Sequence, residues 1–467
     1  MKTDLEKGIN NDLEIKLNNG HFFVFHDFTH KQFYYDSVKQ IILDGIEKIE
    51  GMGCRQAIEK NGLATLHKYF PVDKLIYLDI FIRKHIRQLL IEMAYSFCKN
   101  DLRLSTEFFL APDTFVVKIC YPFEVAIKSK VSYAQYVDYK NQQLAESQPF
   151  KLKNFLRKIK VKSKNFIKRT RSSVSYHDRY PYAANAYGPH LDSWYGAPLD
   201  GINLWWSITS VREDNSVVLY PETFGRYIQH KPEFGYIPPG STLPKPHKVE
   251  IPDGSILVFN SDLLHGSHLN ISNVTRVAIA PRISLQKPRF NPEASDRELS
   301  GWYSSKDIAR GDFGKLIKFP RKDNEGILYE GRQKPYVEKR LSMTLNSKIF
   351  AGRPIALCPS DTLGVGEKML VNFQNESLVI LRSIKELRAV SAFCPHLKIN
   401  LIDGFHDEQH IHCPGHGVAF SLADGSSKCN LLKLQVYKVY DRDNKIVIEK
   451  AGSRLDGNLH KSDLTEV

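Results

Sequence analysis

The chain is poor in cysteine, and its cysteines follow no framework. Cys54, Cys98, Cys120, Cys358, Cys394, Cys413 and Cys429 are seven in 467 residues, an odd number at irregular spacing. That excludes a disulfide scaffold and fits a reducing compartment. Long apolar runs are also lacking: no stretch reaches the roughly 18 uncharged apolar residues that a membrane-spanning helix needs. Residues 1–19 are too polar for a signal peptide or an anchor, so a cytoplasmic location is expected. There is no internal repeat. Gly364-Val365-Gly366 is too short to count as a Gly-rich dinucleotide motif. What remains is an ordinary globular composition, 42% apolar and 25% charged, on a chain long enough for two or three domains.

The net charge of +13 is local. Ten Lys or Arg and no acid lie between Lys151 and Arg171. Within residues 149–171, Leu152, Phe155, Leu156 and Ile159 follow the i, i+3, i+4, i+7 spacing of a basic amphipathic helix. Such a segment suits a solvated face packed on a neighbouring domain. It equally suits docking on an anionic membrane surface or an acidic partner. No motif supports nucleic acid.

Residues 1–100 read as helical. Leu75, Leu78, Phe81, Ile82, Ile86, Leu89, Leu90 and Met93 form one apolar stripe, which predicts a single helix over about 73–99. From Glu107 the period changes to that of strands, with a turn expected at Pro112-Asp113. Residues 101–295 carry many short strands separated by Pro and Gly, the pattern of a double-sheet jelly roll. Residues 296–355 read as a linker or packing segment, 356–452 as a small all-β domain, and 453–467 as a loose tail. The fold class is therefore multidomain and mainly β, with N-terminal helices.

Two constellations carry chemistry. The first is Cys394-Pro395-His396, sixteen residues, then Cys413-Pro414-Gly415-His416. Each loop offers one thiolate and one imidazole. Two cysteines on one iron and two histidines on the other are what a Rieske [2Fe-2S] cluster requires. A Cys₂His₂ zinc site is the alternative, but it usually opens with C-x₂₋₄-C. Over roughly residues 365–450 the chain resembles Rieske ferredoxin-like domains. The first loop departs from the common His-x-Gly of that family, with Leu397-Lys398 in its place. Neither loop has the extra cysteine of the high-potential kind.

The second is His190-Leu191-Asp192 with the distant His265. Alternation along a strand puts His190 and Asp192 on one face, and a third ligand completes two histidines and one carboxylate, the facial triad of non-haem Fe(II) oxygenases. His268 is a rival ligand, but an offset of three within a strand puts it on the face opposite His265. Arg276, eleven residues past His265, is placed to grip a carboxylate in a bidentate way. H-x-D, His-Gly-Ser and the following Arg resemble the phytanoyl-CoA dioxygenase-like branch of the Fe(II)/2-oxoglutarate-dependent oxygenases over roughly residues 100–290. The resemblance implies that His190, Asp192 and His265 hold Fe(II), and that Arg276 with Ser267 binds 2-oxoglutarate. Asp192 argues against a halogenase, in which that position is small. Trp194, Trp205 and Trp206 read as core before they read as pocket lining.

Together these imply a dioxygenase that hydroxylates or desaturates a small-molecule or carrier-linked substrate. A fused Rieske domain would supply electrons from an external reductase or ferredoxin. A Rieske-fed mononuclear iron oxygenase without 2-oxoglutarate, and an electron carrier or redox sensor on an inactive jelly roll, are the alternatives. A homo-oligomer stays open, as does the substrate, since pocket shape comes from loops.

Overall fold

The computed structural model describes residues 10–450 except 133, 137, 140–180, 185, 227, 229–236, 238–239, 292–300, 320–340 and 350–351. The basic segment 149–171 and the tail 453–467 lie outside the described residues. The chain divides into two compact units, residues 1–336 with 415–418, and residues 337–414 with 419–467. Among the described residues no helix is long and apolar enough to cross a membrane.

Among the described residues the first unit has nine strands: β1 (Phe22–Phe25), β2 (Phe109–Cys120), β3 (Gly201–Ser207), β4 (Val217–Leu219), β5 (His247–Val249), β6 (Ile256–Asn260), β7 (His265–Ser267), β8 (Arg276–Ser284) and β9 (Tyr303–Ser304). They form a six-stranded sheet in the order β1-β6-β3-β8-β2-β9 and a three-stranded sheet in the order β5-β4-β7. Most of the strands are short; β4 is apolar throughout and β6 is apolar up to its closing Asn260, and every residue of both is buried, as covered faces require. Val217, Leu219 and Val249 of the small sheet pack with Leu257, Phe259 and Val24 of the large one. That cluster is the core between the two sheets.

Helices flank the large sheet. In Lys31–Glu50, Tyr34, Val38, Ile42 and Ile46 recur every fourth residue and are buried. A Cβ on Gly45 would come within 2.7 Å of the Phe81 ring, so this helix packs closely on Leu75–His85. The expected single helix over 73–99 is in fact two, Leu75–His85 and Arg87–Ser96, followed by a π-turn at Phe97–Asp101. The apolar stripe continues through the break, which hid it. The expected turn at Pro112-Asp113 is likewise absent: β2 runs on through it, with a register shift against β8 between Ala111 and Val116. A shift of this kind absorbs a proline without ending the strand.

The segment 296–355 is divided between the units. β9 pairs with β2 and is followed by the helix Ser305–Ala309, whose Ser304 side chain accepts from the Asp307 N–H as an N-cap. Further on, β10 (Leu341–Thr344) belongs to the second unit, where it runs parallel to β12. The remaining strands there are β11 (Ile355–Pro359), β12 (Lys368–Asn372), β13 (Ser377–Arg382), β14 (Leu387–Ser391), β15 (His410–His412), β16 (Ala419–Ser421), β17 (Val436–Arg442) and β18 (Lys445–Glu449). Seven make one sheet in the order β10-β12-β13-β14-β17-β18-β11, and β15-β16 stand apart as a hairpin. Met369, Val371, Leu378, Ile380, Ala389, Tyr437, Ile446 and Ile448 form the core of this sheet.

Gly404 shows how tightly the second unit is closed. A Cβ there would fall 1.8 Å from the His412 carbonyl oxygen, and a backbone atom cannot swing aside as a side-chain tip can. Gly404→Ala is expected to destabilise this unit by roughly 1–3 kcal/mol, the usual range for a change with a named steric cause. Differential scanning calorimetry should show a lowered transition, and an unchanged one would mean that the backbone relaxes freely.

Candidate metal centres

His190 lies outside any regular strand. It forms an isolated bridge with His265, the first residue of β7. The His190 N–H donates to the His265 carbonyl at 2.8 Å, and the His265 N–H returns to the His190 carbonyl at 3.1 Å. Asp192 then opens the short 3₁₀ turn Asp192–Tyr195. The two residues of H-x-D therefore come together at a bridge and a turn, whereas a continuous strand was expected.

The side chains converge. One ligand atom from each of His190, Asp192 and His265 lies within 4.8 Å of the others. His190 Nε2 is 3.6 Å from Asp192 Oδ1, and His265 Nε2 is 3.8 Å from Asp192 Oδ2. His190 Nδ1 is 2.7 Å from the Gly188 carbonyl oxygen, and His265 Nδ1 is 2.8 Å from that of Leu263. A carbonyl only accepts, so each Nδ1 carries the proton and each Nε2 lone pair is turned toward the centre. Burial pushes the His265 imidazole down to about 4, which keeps it neutral, as a ligand must be. Burial alone would raise the Asp192 carboxyl, but the Arg282 guanidinium and the two imidazoles hold it well below the usual carboxylate range. Two imidazole Nε2 atoms and one ionised carboxylate facing one another, with Asp192 and His265 buried and His190 partly so, fit a divalent cation.

His268, the rival ligand, is fully buried with Nδ1 against the Leu269 carbonyl oxygen and does not belong to this group. Arg276 is buried at the start of β8. Its Nη1 donates to the carbonyls of Asn215 and Ser216, its Nη2 lies 3.2 Å from Cys120 Sγ, and its Nε has no hydrogen-bond partner among the described residues. Ser267 ends β7 opposite Val217. Trp194 packs with Leu191, Val218 and Leu264. The buried Trp206 donates from Nε1 to the Gly254 carbonyl at 3.1 Å, and Trp205 packs on the cluster between the sheets.

Neither Arg282 nor Asn203 was expected beside Asp192. Arg282 Nη2 is 2.9 Å from Asp192 Oδ1, and Asn203 Nδ2 is 2.7 Å from Asp192 Oδ2. The sequence does hold a signal: Arg282 is an even number of residues beyond Arg276 on one strand, so both share a face. Tyr187 and Tyr195 lie beside the His190 ring, at 6.0 and 5.6 Å between centroids.

The Cys/His motif sits on two loops of chain flanked by strands. The first follows β14 and is a closed turn: the Cys394 N–H donates to the Ile399 carbonyl at 2.9 Å, and the Lys398 N–H to the Cys394 carbonyl at 2.8 Å. The second joins β15 to β16. Cys394, His396, Cys413 and His416 are all buried. Burial pushes the Cys394 thiol well up, and the adjacent Cys413 adds to the shift. Two buried sulfurs side by side give up their protons only to a strong positive charge, so the donor set fits iron.

Lys398 takes φ 55°, in the left-handed region that favours glycine. The departure from His-x-Gly noted in the sequence thus falls on a backbone position where a side chain is strained. Lys398→Gly is expected to stabilise the second unit by a few tenths to about 1 kcal/mol, the relief of strain being partly offset by the entropy of glycine. Chemical denaturation reads this directly, and a lowered midpoint would show that the lysine side chain contributes more than its backbone costs.

Residues 353–438 match the family described as Rieske [2Fe-2S] domain, and this C-terminal part of the chain is a Rieske domain. No curated protein matches the chain. Among solved structures, the ferredoxin of carbazole 1,9a-dioxygenase from Nocardioides aromaticivorans IC177 is similar at 24% identity, over 21% of this chain and 98% of its own, with a TM-score of 0.20. The Sphingomonas yanoikuyae B1 ferredoxin is similar at 26% identity over the same shares, also with a TM-score of 0.20. A complex of reduced oxygenase and oxidized ferredoxin in carbazole 1,9a-dioxygenase gives 22% identity over 21% of this chain and 95% of that one, with a TM-score of 0.20.

Proposed function

We propose that the protein is an Fe(II)- and 2-oxoglutarate-dependent oxygenase with its own electron-transfer module. The observation that carries the reading is the convergence of His190, Asp192 and His265 on one point in a chain that also holds a Rieske domain. The strand orders support it. β6-β3-β8-β2 facing β5-β4-β7, with His190 bridged to β7, is the arrangement expected of a double-stranded β-helix.

His190, Asp192 and His265 would hold the metal, and Cys394, His396, Cys413 and His416 the [2Fe-2S] cluster. Fe(II) held there would supply activation of O₂, with 2-oxoglutarate as the two-electron donor, chemistry suited to hydroxylating or desaturating an unactivated C–H bond. The chain contributes geometry. The bridge sets the spacing of the two imidazoles, and the carbonyls of Gly188 and Leu263 fix their tautomers. The hydrophobic cover of Leu191, Trp194 and Leu264 excludes water from one side. Arg276 is the anchor for the distal carboxylate of 2-oxoglutarate, with Ser267 assisting. None of the ion pairs among the described residues includes Arg276, and burying a guanidinium without a counter-charge is costly. An incoming carboxylate removes that cost, and the Nε donor is left to meet it. Cys394, His396, Cys413 and His416 would hold a cluster that, fed by an external reductase or ferredoxin, would supply single electrons to keep a metal at the first site divalent.

A second reading takes every electron through the cluster and uses no 2-oxoglutarate. The observation that favours it is that both Nη atoms of Arg276 already face protein acceptors. Anaerobic titration of the Fe(II) protein with 2-oxoglutarate separates the two. Protein purified without oxygen is expected to hold about three irons and two acid-labile sulfides per chain, one mononuclear site plus one two-iron cluster. Arg276→Ala should raise the 2-oxoglutarate dissociation constant by at least about 30-fold, because truncating one partner of a buried charge pair costs roughly 2–5 kcal/mol. Undiminished 2-oxoglutarate affinity in that variant would move the anchor elsewhere, and no affinity in the parent protein would leave the second reading.

A further inference from the structure

We propose that Arg282 and Asn203 form a clamp on Asp192, with Asn203 orienting the carboxylate ligand and the charge of Arg282 biasing the bound metal toward its divalent state. This rests on the reading of His190, Asp192 and His265 as a metal centre.

The clamp is a closed ring of three side chains. Arg282 Nη2 donates to Asp192 Oδ1 at 2.9 Å, Asn203 Nδ2 donates to Asp192 Oδ2 at 2.7 Å, and Arg282 Nε donates to Asn203 Oδ1 at 3.1 Å. The last bond settles which way the amide points, since the edge that accepts from Arg282 leaves only the NH₂ for Asp192. The ring is built by strand register. Asn203 on β3 stands directly opposite Arg282 on β8, so both side chains leave the same face of the sheet. The free end of the guanidinium is fixed too: Arg282 Nη1 donates to the Thr114 carbonyl at 3.1 Å. Thr114 lies where β2 slips register against β8, and such a slip frees a carbonyl from the ladder.

Each Asp192 oxygen therefore has one direction occupied by the clamp and another turned toward an imidazole Nε2. A carboxylate tied at both oxygens cannot rotate out of the site, and fixing it costs no entropy when metal binds. The charge acts separately. A guanidinium bonded to the ligand oxygen withdraws electron density from it and adds a positive charge near the metal. Both effects penalise a trivalent ion more than a divalent one, since the Coulomb cost scales with the ion's charge. Arg276 lacks this position. Its donors meet Asn215, Ser216 and Cys120, so the two arginines of β8 have different tasks.

The test uses the full chain, purified without oxygen and retaining its cluster. Co(II) affinity and the Co(II) visible spectrum report on geometry. The Fe(III)/Fe(II) midpoint of the mononuclear site, followed by electron resonance during a redox titration, reports on charge. Asn203→Ala should weaken Co(II) binding about 10–100-fold, the usual loss when a group that orients a ligand is removed. Arg282→Gln should lower the midpoint. Arg282→Lys should keep the midpoint near that of the parent while shifting the Co(II) spectrum, because it restores the charge without the two-pronged contact. This variant also covers the case in which Arg282→Gln fails to fold. Unchanged Co(II) binding in Asn203→Ala, or a midpoint that stays or rises in Arg282→Gln, would overturn the clamp. If the parent protein bound Co(II) no better than His265→Ala, the metal centre itself would fall.

Discussion

The reciprocal pair of backbone hydrogen bonds between His190 and His265 is the constraint from which the first unit's site follows. It joins the chain before β3 to the start of β7, so two histidines far apart in sequence face each other with ring centroids 4.5 Å apart. The same local device then fixes both rings: each Nδ1 meets the carbonyl two residues upstream, Gly188 in one case and Leu263 in the other. Neither ring can turn without breaking that bond. The turn at Asp192–Tyr195 starts where the bridge ends, and the Asp192 N–H is held by the Ser261 carbonyl at 2.9 Å. Backbone bonds alone therefore bring His190, Asp192 and His265 to one place before any metal is considered.

Charge is then distributed around that place in a way that burial makes consequential. Asp192 is a fully buried acid, and Arg282 compensates it directly. Arg276 is equally buried but meets two carbonyls and the Cys120 sulfur. Arg276 itself lowers the Cys120 thiol against the effect of burial. The thiol and an incoming carboxylate thus compete for one guanidinium. Carbonyl dipoles and a sulfur satisfy a guanidinium less fully than a carboxylate does, because hydrogen bonds between two charged groups are about twice as strong as neutral ones. On the proposed reading, Arg276 would therefore favour an anion with two oxygens over its present neutral acceptors.

Much of this was legible in the sequence where chemistry depends on ligand spacing. The C-x-H and C-x-x-H loops specify their geometry within a few residues, and burial of all four ligands agrees with the reading. The H-x-D motif was legible as two side chains brought to one side but not as a bridge and a turn, because strand alternation and a tight turn both bring residues two apart to one side. The single long helix and the turn at Pro112-Asp113 failed for a common reason. Apolar periodicity reports which face is buried and is blind to a break or a register shift that preserves the face. Asn203 and Arg282 were missed as partners of Asp192 because their meeting depends on the pairing of β3 with β8. That register is set by tertiary packing across the sheet and has no local signature. Lys398 was noticed as a departure from a pattern, and the structure supplies the physical content: a left-handed backbone position occupied by a side chain.

The clamp also bears on why an oxygenase of this kind would carry an electron-transfer module. An iron of the 2-oxoglutarate type takes its two electrons from the cosubstrate and needs no reductant in a productive cycle. It needs one only after an unproductive event leaves it trivalent. How hard that state is to reverse depends on how well the ligands stabilise it. A carboxylate ligand tied to a guanidinium stabilises it poorly, so a donor of modest reducing power suffices. Lys398 lies in the first loop of the Cys/His motif, and a positive charge close to a cluster held there would favour its reduced form and raise its potential. On the proposed reading, Arg282 and Lys398 would act on the two partners of one electron transfer. A donor with a raised potential would still reduce its acceptor provided the acceptor's potential is raised as well, which is the effect proposed for Arg282 at the mononuclear site.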